Sequence, residues 1–188
     1  MNLDNIDHEK VYSEEEVYHC TRVMAAEINQ LFGDKFTEES PALVLSVLTG
    51  GIYFTGKVMT MFNFPMELSY IGFSRYGMAE KGINNIDDIP VHPVPTIEIE
   101  GRYVILVDDI YDEGITINRL KNFCYDAGAK HVLVVVMVHK IKEKRTLLPG
   151  PDFSAVRTLD KFLFGCGLDV AGMYRNAPGI YSKGHEDE

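Results

Sequence analysis

Apolar positions recur in two ways along this chain. Between Ser13 and Gly33 they fall on one side of a helix, where Val17, Cys20, Met24, Ile28 and Leu31 lie three or four residues apart. Ser13 followed by Glu16 is a capping-box pattern for its start, and Gly33 is placed to stop it. Elsewhere the apolar residues form short runs, ALVLSVL (42–48), YVILV (103–107) and HVLVVVMV (131–138), while MELSYIGF (66–73) reads as another strand. Runs of this length without alternation predict strands buried on both faces. Residues 52–62 and 115–127 read as helices, the second ended by Gly128. TIEI (96–99), a turn at Glu100-Gly101 and the 103–107 run read as a hairpin pair. KFLFGCG (161–167) reads as one more strand. From Ser74 to Pro95 no period survives among Gly, Asn, Asp and Pro. A loop that long inside a domain is usually functional. Alternating strands and helices predict an α/β fold, a mainly parallel twisted sheet with helices on both faces. Ligands then sit beyond the carboxyl ends of the strands. The turn after Leu48 and the loop after Val107 are expected there, side by side.

Composition narrows the classes. The 188 residues suit one domain, and 46% hydrophobic with 24% charged residues is ordinary for a globular protein. A formal net charge of -10 disfavours nucleic acid, whose phosphates are held by Lys and Arg. The three cysteines, Cys20, Cys124 and Cys166, form no CxxC or Cys/His cluster, which argues against a zinc site or disulfide framework. No apolar run approaches the roughly 18 residues of a membrane span. A soluble, cytoplasmic protein with no membrane partner is expected.

Two motifs carry candidate chemistry. GIYFTGK (51–57) has the G-x-x-x-x-G-K spacing of a phosphate-binding loop. However, Val58 follows Lys57 where that loop needs a Ser or Thr hydroxyl. With a helical period Phe54, Val58, Met61 and Phe62 form a packing face instead. VILVDDIYDEGIT (104–116) is different. Gly114 permits a tight turn, and N–H groups at the start of the following helix can converge on an anion, with the Thr116 hydroxyl beside them. Asp108 and Asp109 just before such a cradle suit the hydroxyls of a ribose 5-phosphate. Asp112 is left over as a candidate acid or base. The plainer alternative is an acidic turn capping a helix, and spacing alone leaves both open.

The 104–116 stretch resembles the ribose-phosphate signature of the type I phosphoribosyltransferases, and the likeness runs from about Leu43 over most of the chain. LTGG (48–51) resembles their pyrophosphate loop, SRYG (74–77) their mobile lid, DKFLFGCGLD (160–169) their purine-binding stretch, and YRN (174–176) carries their arginine. The likeness is closest to the hypoxanthine-guanine phosphoribosyltransferases. It implies a single domain over residues 1–188, with 74–95 as a lid and 150–188 contributing to a small hood from the terminal segments. It implies transfer of the phosphoribosyl group from phosphoribosyl pyrophosphate to a 6-oxopurine, hypoxanthine and also guanine, with magnesium (Mg2+). Asp112 is then the catalytic acceptor of the purine N7 proton. Asp108, Asp109, Glu113, Gly114, Ile115 and Thr116 bind the phosphoribosyl group, and Leu48, Thr49, Gly50 and Arg175 the pyrophosphate. Ser74, Arg75 and Tyr76 belong to the lid. Lys140, Phe162 and Leu163 meet the purine, with Lys140 donating to its O6. Lys161 stays open between a purine contact and a surface charge. Asp169, with Asp108 and Asp109, would face the metal. The family also suggests a homodimer or homotetramer. Two departures stand out: Thr49 where many members have lysine, and Arg75 where a serine often precedes the lid tyrosine.

Cys166 reads as a small buried hydrophobe and His139 as a structural strand-end residue. A regulator that keeps the fold but binds RNA is disfavoured by the charge, and Asp112 points to catalysis.

Overall fold

The computed structural model describes residues 3, 7–73, 91–93, 98–142 and 148–184. The expected lid residues Ser74, Arg75 and Tyr76 lie outside them. The elements are β1 (His8–Tyr12), α1 (Glu14–Phe32), β2 (Ala42–Val47), α2 (Gly51–Val58), β3 (Met66–Phe73), β4 (Val91–Pro93) and β5 (Tyr103–Tyr111). They continue with α3 (Ile115–Asp126), β6 (His131–Ile141), β7 (Phe153–Leu159), β8 (Leu163–Phe164) and β9 (Ile180–Lys183).

The six-stranded sheet runs β4-β3-β2-β5-β6-β7. All neighbours are parallel except β4, which returns antiparallel along the end of β3. Burial alternates between two covered faces. Val44, Ile105, Val107, Leu133 and Val135 pack with Val17, Met24 and Ile28 of α1 and Phe54 and Val58 of α2. Leu43, Leu45, Leu106, Val132 and Val134 pack with Ile117, Leu120 and Cys124 of α3. With an apolar layer on each side, the central strands β2, β5 and β6 have no polar face to show, and their hydrophobic runs follow. A smaller sheet, β1-β9-β8, is antiparallel and joins both ends of the chain.

Ser13 caps α1 as its sequence pattern predicts. Its hydroxyl accepts from Glu16 N at 3.2 Å, and its own N–H donates to Glu16 Oε2 at 2.8 Å. Several expectations need correction. Gly33 has φ -53° and leads into a 3-10 turn rather than a left-handed cap. Leu31 faces outward. Glu98 and Ile99 form no strand, and β5 is flanked by the parallel β2 and β6, so the described residues hold no such hairpin; Thr96 and Ile97 lie outside them. Ile99 instead tucks under the α3 face and accepts from Arg102 N at 3.1 Å. Within the expected long loop, Val91–Pro93 is a strand. β5 runs on through Asp108 and Asp109 to Tyr111, and β6 through His139 and Lys140 to Ile141. In the 161–167 segment only Leu163 and Phe164 are extended. Gly165, Cys166 and Gly167 turn with φ 92°, 49° and 100°.

The chain passes from β2 outward to β3, then returns to lay β5 on the other side of β2. The strand order reverses between β2 and β5, the position where an open parallel sheet forms a crevice at its carboxyl edge.

Candidate functional site

Five parallel strands end at this edge, and four of them, β2, β5, β6 and β7, deliver parts of the site. Beyond β2 come Leu48, Thr49 and Gly50. The Leu48–Thr49 peptide is cis, and Leu48 N donates to Ile71 O at 2.9 Å. The glycines are required by close approach. A Cβ on Gly50 would run into the Asp109 carboxylate, and one on Gly51 would stand 2.7 Å from Val107 O. The turn after β2 therefore lies directly against the acidic end of β5, as expected.

Asp108 and Asp109 differ from ordinary surface acids. Asp108 is buried, and its Oδ1 accepts from Asp109 N at 2.9 Å. Burial pushes the Asp109 carboxyl up, against the pull of Asp108 and of the Arg175 charge. Arg175 comes from the loop after β8. Its Nη1 donates to Gly167 O at 2.6 Å, and its Nη2 is 2.6 Å from Asp169 Oδ1. Asp169 Oδ2 accepts from Gly172 N at 2.7 Å. Both oxygens of the expected metal ligand are thus engaged, and Asp169 acts here as a prop for the arginine. A Cβ on Gly167 would meet Tyr53 at 2.8 Å and Gly50 O at 3.4 Å, so the hood loop rests on the turn after β2.

The stretch after β5 forms an open helix start. Gly114 sits at φ 79°, where a side chain would collide with the Tyr111 ring. Asn118 Nδ2 donates to Gly114 O at 2.9 Å, and the Tyr111 hydroxyl donates to Pro149 O at 2.6 Å, which ties strand, turn and helix together. No side chain caps α3. The N–H groups of its first turn have no intrahelical acceptors, and the macrodipole there favours an anion. Glu113, Gly114, Ile115 and Thr116 line this start.

Asp112 stands beside it, in a different environment from Asp109. Register explains its neighbours: Tyr111 lies opposite His139, and Lys140 opposite Thr158. The residues just past the three strand ends therefore meet. Lys140 Nζ is 3.3 Å from Asp112 Oδ2 and 3.4 Å from Asp160 Oδ1. Lys142 Nζ is 2.7 Å from Asp112 Oδ1, 3.5 Å from Asp160 Oδ2 and 3.6 Å from Glu113 Oε1. Burial pushes the Asp112 carboxyl up, but the Lys142 hydrogen bond and the Lys140 charge outweigh it, and the group lies below the ordinary carboxylate value. Lys142 is raised in turn, chiefly by its hydrogen bond to Asp112. Sequence reasoning missed Lys142 and Asp160. The one available signal was the spacing Lys140-x-Lys142 where a buried strand surfaces.

The expected purine-side residues lie on the hood. Phe162 is 55% exposed and Leu163 is buried opposite Ser182 of β9. Lys161 Nζ is 3.0 Å from Glu9 Oε2 in an exposed pair. Cys166 keeps its bland reading. Its sulfur accepts from Gly179 N at 3.3 Å, and burial pushes its thiol up, so a reactive thiolate is disfavoured. The His139 ring meets Tyr111 edge-on at 5.3 Å, and burial lowers its proton affinity. GIYFTGK is helical from Gly51, with Phe54 and Val58 in the core and Lys57 3.7 Å from Glu14, so it wraps no phosphate. Among the described residues no helix is long and apolar enough to cross a membrane.

Comparison with known proteins shows the family. A chain from Aquifex aeolicus named hypoxanthine-guanine phosphoribosyltransferase is 30% identical over 168 residues, covering 89% of this chain and 90% of that one. One of the same name from Bacillus subtilis is 28% identical over 178 residues, 93% and 92% of the two chains. A solved point mutant of the Trypanosoma cruzi hypoxanthine phosphoribosyltransferase, in a ternary substrates complex, superposes with a TM-score of 0.85 at 25% identity, covering 97% and 98%. The phosphoribosyl transferase domain model matches residues 13–171, and the chain belongs to that family.

Proposed function

We propose that this protein transfers the 5-phosphoribosyl group from phosphoribosyl pyrophosphate to hypoxanthine, and also to guanine, releasing pyrophosphate in purine salvage. The observation that carries the reading is the pairing of two unlike acids at one crevice. Asp109 is held against Gly50, while Asp112 is held ionised between lysines at an open helix start. The homologous chains from Aquifex aeolicus and Bacillus subtilis supply the name of the activity.

The residues divide the work as follows. The first turn of α3, with Glu113 to Thr116, receives the 5-phosphate. Asp108 and Asp109 face the ribose hydroxyls. Leu48, Thr49, Gly50 and Arg175 receive the pyrophosphate, whose charge Arg175 offsets. As the C1–O bond to pyrophosphate breaks, the leaving group takes the electron pair and C1 becomes oxocarbenium-like. Purine N9 closes the new bond to C1, and the N7 proton passes to Asp112. An acid whose proton affinity is lowered stands ionised at neutral pH. Ser74, Arg75 and Tyr76 belong to the proposed lid that keeps water from C1.

Phe162 offers its exposed ring to the base, and Leu163 lies along the base edge. A lysine ammonium donates to O6. Lys140 already points two of its three N–H groups at Asp112 and Asp160, whereas Lys161 need only release an exposed pair worth about 0–1 kcal/mol. The third N–H of Lys140 remains for O6, so Lys140 is the proposed reader and Lys161 the alternative.

A divalent metal fits the donor chemistry. Two carboxylates, one of them raised by burial, stand where a cation would relieve them. Among the described residues no group of three or more acids or histidines could hold a metal alone. This suits Mg2+, which binds through one or two carboxylates plus substrate oxygens and water. Asp108 and Asp109 would hold it, with Asp169 joining only on release from Arg175. When bound, it neutralises pyrophosphate. The reading includes a homodimer or homotetramer in the cytoplasm.

One assay tests the activity. The protein is mixed with phosphoribosyl pyrophosphate, Mg2+ and hypoxanthine, and inosine monophosphate is followed by chromatography. A folded protein that makes none, at any metal concentration, sinks the proposal.

A further inference from the structure

The phosphate cradle has an electrostatic problem. Its own sequence, Asp112-Glu113-Gly114-Ile115-Thr116, carries two carboxylates and no cation. A phosphate dianion at the start of α3 meets favourable N–H groups but also the field of Asp112 and Glu113. Backbone donors alone would have to overcome that repulsion.

The structure holds a cation within reach. Lys142 follows the end of β6, and its ammonium touches three carboxylates: Asp112 at 2.7 Å, Asp160 at 3.5 Å and Glu113 at 3.6 Å. The Glu113 contact is the telling one, because Glu113 is the first residue of the cradle. Lys140 is differently placed. Its side chain is 10% exposed against 23% for Lys142, and its contacts are with Asp112 and Asp160 but not Glu113. Of the two ammonium groups, Lys142 is nearer the cradle and freer to turn. A four-carbon stem lets such a group swing by several ångströms with its backbone fixed.

We propose that Lys142 is the phosphate-binding cation of the cradle, parked on Asp112 in the free protein and turned to the 5-phosphate when a phosphoribosyl group binds. This rests on the transferase reading above. It assigns Lys142 to substrate recognition and gives Asp112 two states. Before binding, Asp112 is shared between two lysines and is a poor proton acceptor. After binding it keeps Lys140 alone and accepts more readily. The groups facing Asp112 are Lys140 and Lys142 from the β6 end, Asp160 from the β7 end and its neighbour Glu113. The phosphate thus prepares the base that the incoming purine needs.

The test compares wild type with Lys142→Met, which keeps length and removes charge, and with Lys142→Arg. Lys142→Gln serves if the Met variant does not fold, as judged by circular dichroism. Affinities are measured by calorimetry for inosine monophosphate, which carries the 5-phosphate, and for magnesium pyrophosphate, which occupies the other end of the crevice. A hydrogen bond between charged groups predicts about 10- to 100-fold weaker nucleotide binding in Lys142→Met, with pyrophosphate binding unchanged. Lys142→Arg should restore most of the nucleotide affinity. The KM for phosphoribosyl pyrophosphate should rise in Lys142→Met by more than the KM for hypoxanthine. Unchanged nucleotide affinity in a folded Lys142→Met that still makes product overturns the inference alone. Equal loss of nucleotide and pyrophosphate binding overturns it too, since that marks a structural role. A wild type that neither makes nor binds inosine monophosphate overturns the transferase reading together with this inference.

Discussion

Asp109 and Asp112 lie three residues apart on one strand end, yet the protein treats them oppositely. Asp109 is pressed against the backbone of Gly50, and burial raises its carboxyl in spite of Arg175 and Asp108. Asp112 is also pushed up by burial, but Lys142 and Lys140 pull it below the ordinary value. Two acids of the same type thus acquire different work from their surroundings, which is how a fold separates roles at one pH. The raised acid is poised to be relieved by a cation or by hydroxyl donors. The lowered one is poised to stay charged until a proton is offered. The difference lies in what β2 and β6 bring alongside: glycine backbone on one side, ammonium groups on the other.

Asp112→Asn removes one side of the contrast and should have the largest effect. The amide cannot accept a proton, and general-base help is typically about 10² to 10⁴ in rate. We expect kcat to fall within that range while phosphoribosyl pyrophosphate still binds. Wild-type turnover under conditions where chemistry limits would remove Asp112 from the proton path.

Gly50→Ala attacks the other side. The new Cβ collides with the Asp109 carboxylate, so either the turn after β2 or the acid must shift. A misplacement of about 1 Å can cost roughly 10² in rate. The expected signature is a higher KM for phosphoribosyl pyrophosphate with little change for hypoxanthine. A variant with both constants intact would show that Gly50 and Asp109 need not touch.

Lys140→Ala and Lys161→Ala sharpen the comparison at the base. If Lys161 reads O6, its removal should collapse the ratio of hypoxanthine to adenine kcat/KM, a discrimination that can approach about 10⁴ at hydrogen-bonding sites. Lys140→Ala should instead lower kcat for hypoxanthine, with less change in the ratio. The reverse pattern assigns the reading role to Lys140, as proposed.

Much of this was legible in the sequence, for physical reasons that also mark where legibility stopped. β2, β5 and β6 announce themselves because both sheet faces are covered, and α1 because Ser13 and Glu16 form its cap. Asp108, Asp109 and Asp112 were visible because a buried run ends in them. β1, β4, β7 and β9 were not read. β1 is largely exposed and polar, and in the edge strand β7 only Val156 is buried. The 96–99 hairpin failed because an apolar residue can be buried beneath a helix without joining a sheet, as Ile99 is. Lys142 and Asp160 escaped because their meaning depends on register. Lys140 faces Thr158 across β6 and β7, and this brings the next residues of both strands to Asp112. No local pattern encodes that meeting.

The smallest expected effect is on stability, and there the two acids should differ in sign. A carboxyl raised in the folded state is a cost above its unfolded value, relieved as pH falls through the folded value. A carboxyl lowered in the folded state contributes stability above its unfolded value, lost as pH falls through the folded one. In metal-free buffer at pH 7, Asp109→Asn should therefore raise Tm, because it removes a charge held in an unfavourable place. Its advantage should shrink as pH falls and wild-type Asp109 takes up a proton. Asp112→Asn should lower Tm at pH 7, and by less, since this acid is half-exposed and its ion pairs are screened. In a chain of this size about 1 kcal/mol moves Tm by about 2–4 °C, so a calorimeter can separate the two. If both variants lower Tm at pH 7, then burial against Gly50 does not outweigh Arg175 at Asp109, and the contrast between the two acids is one of degree.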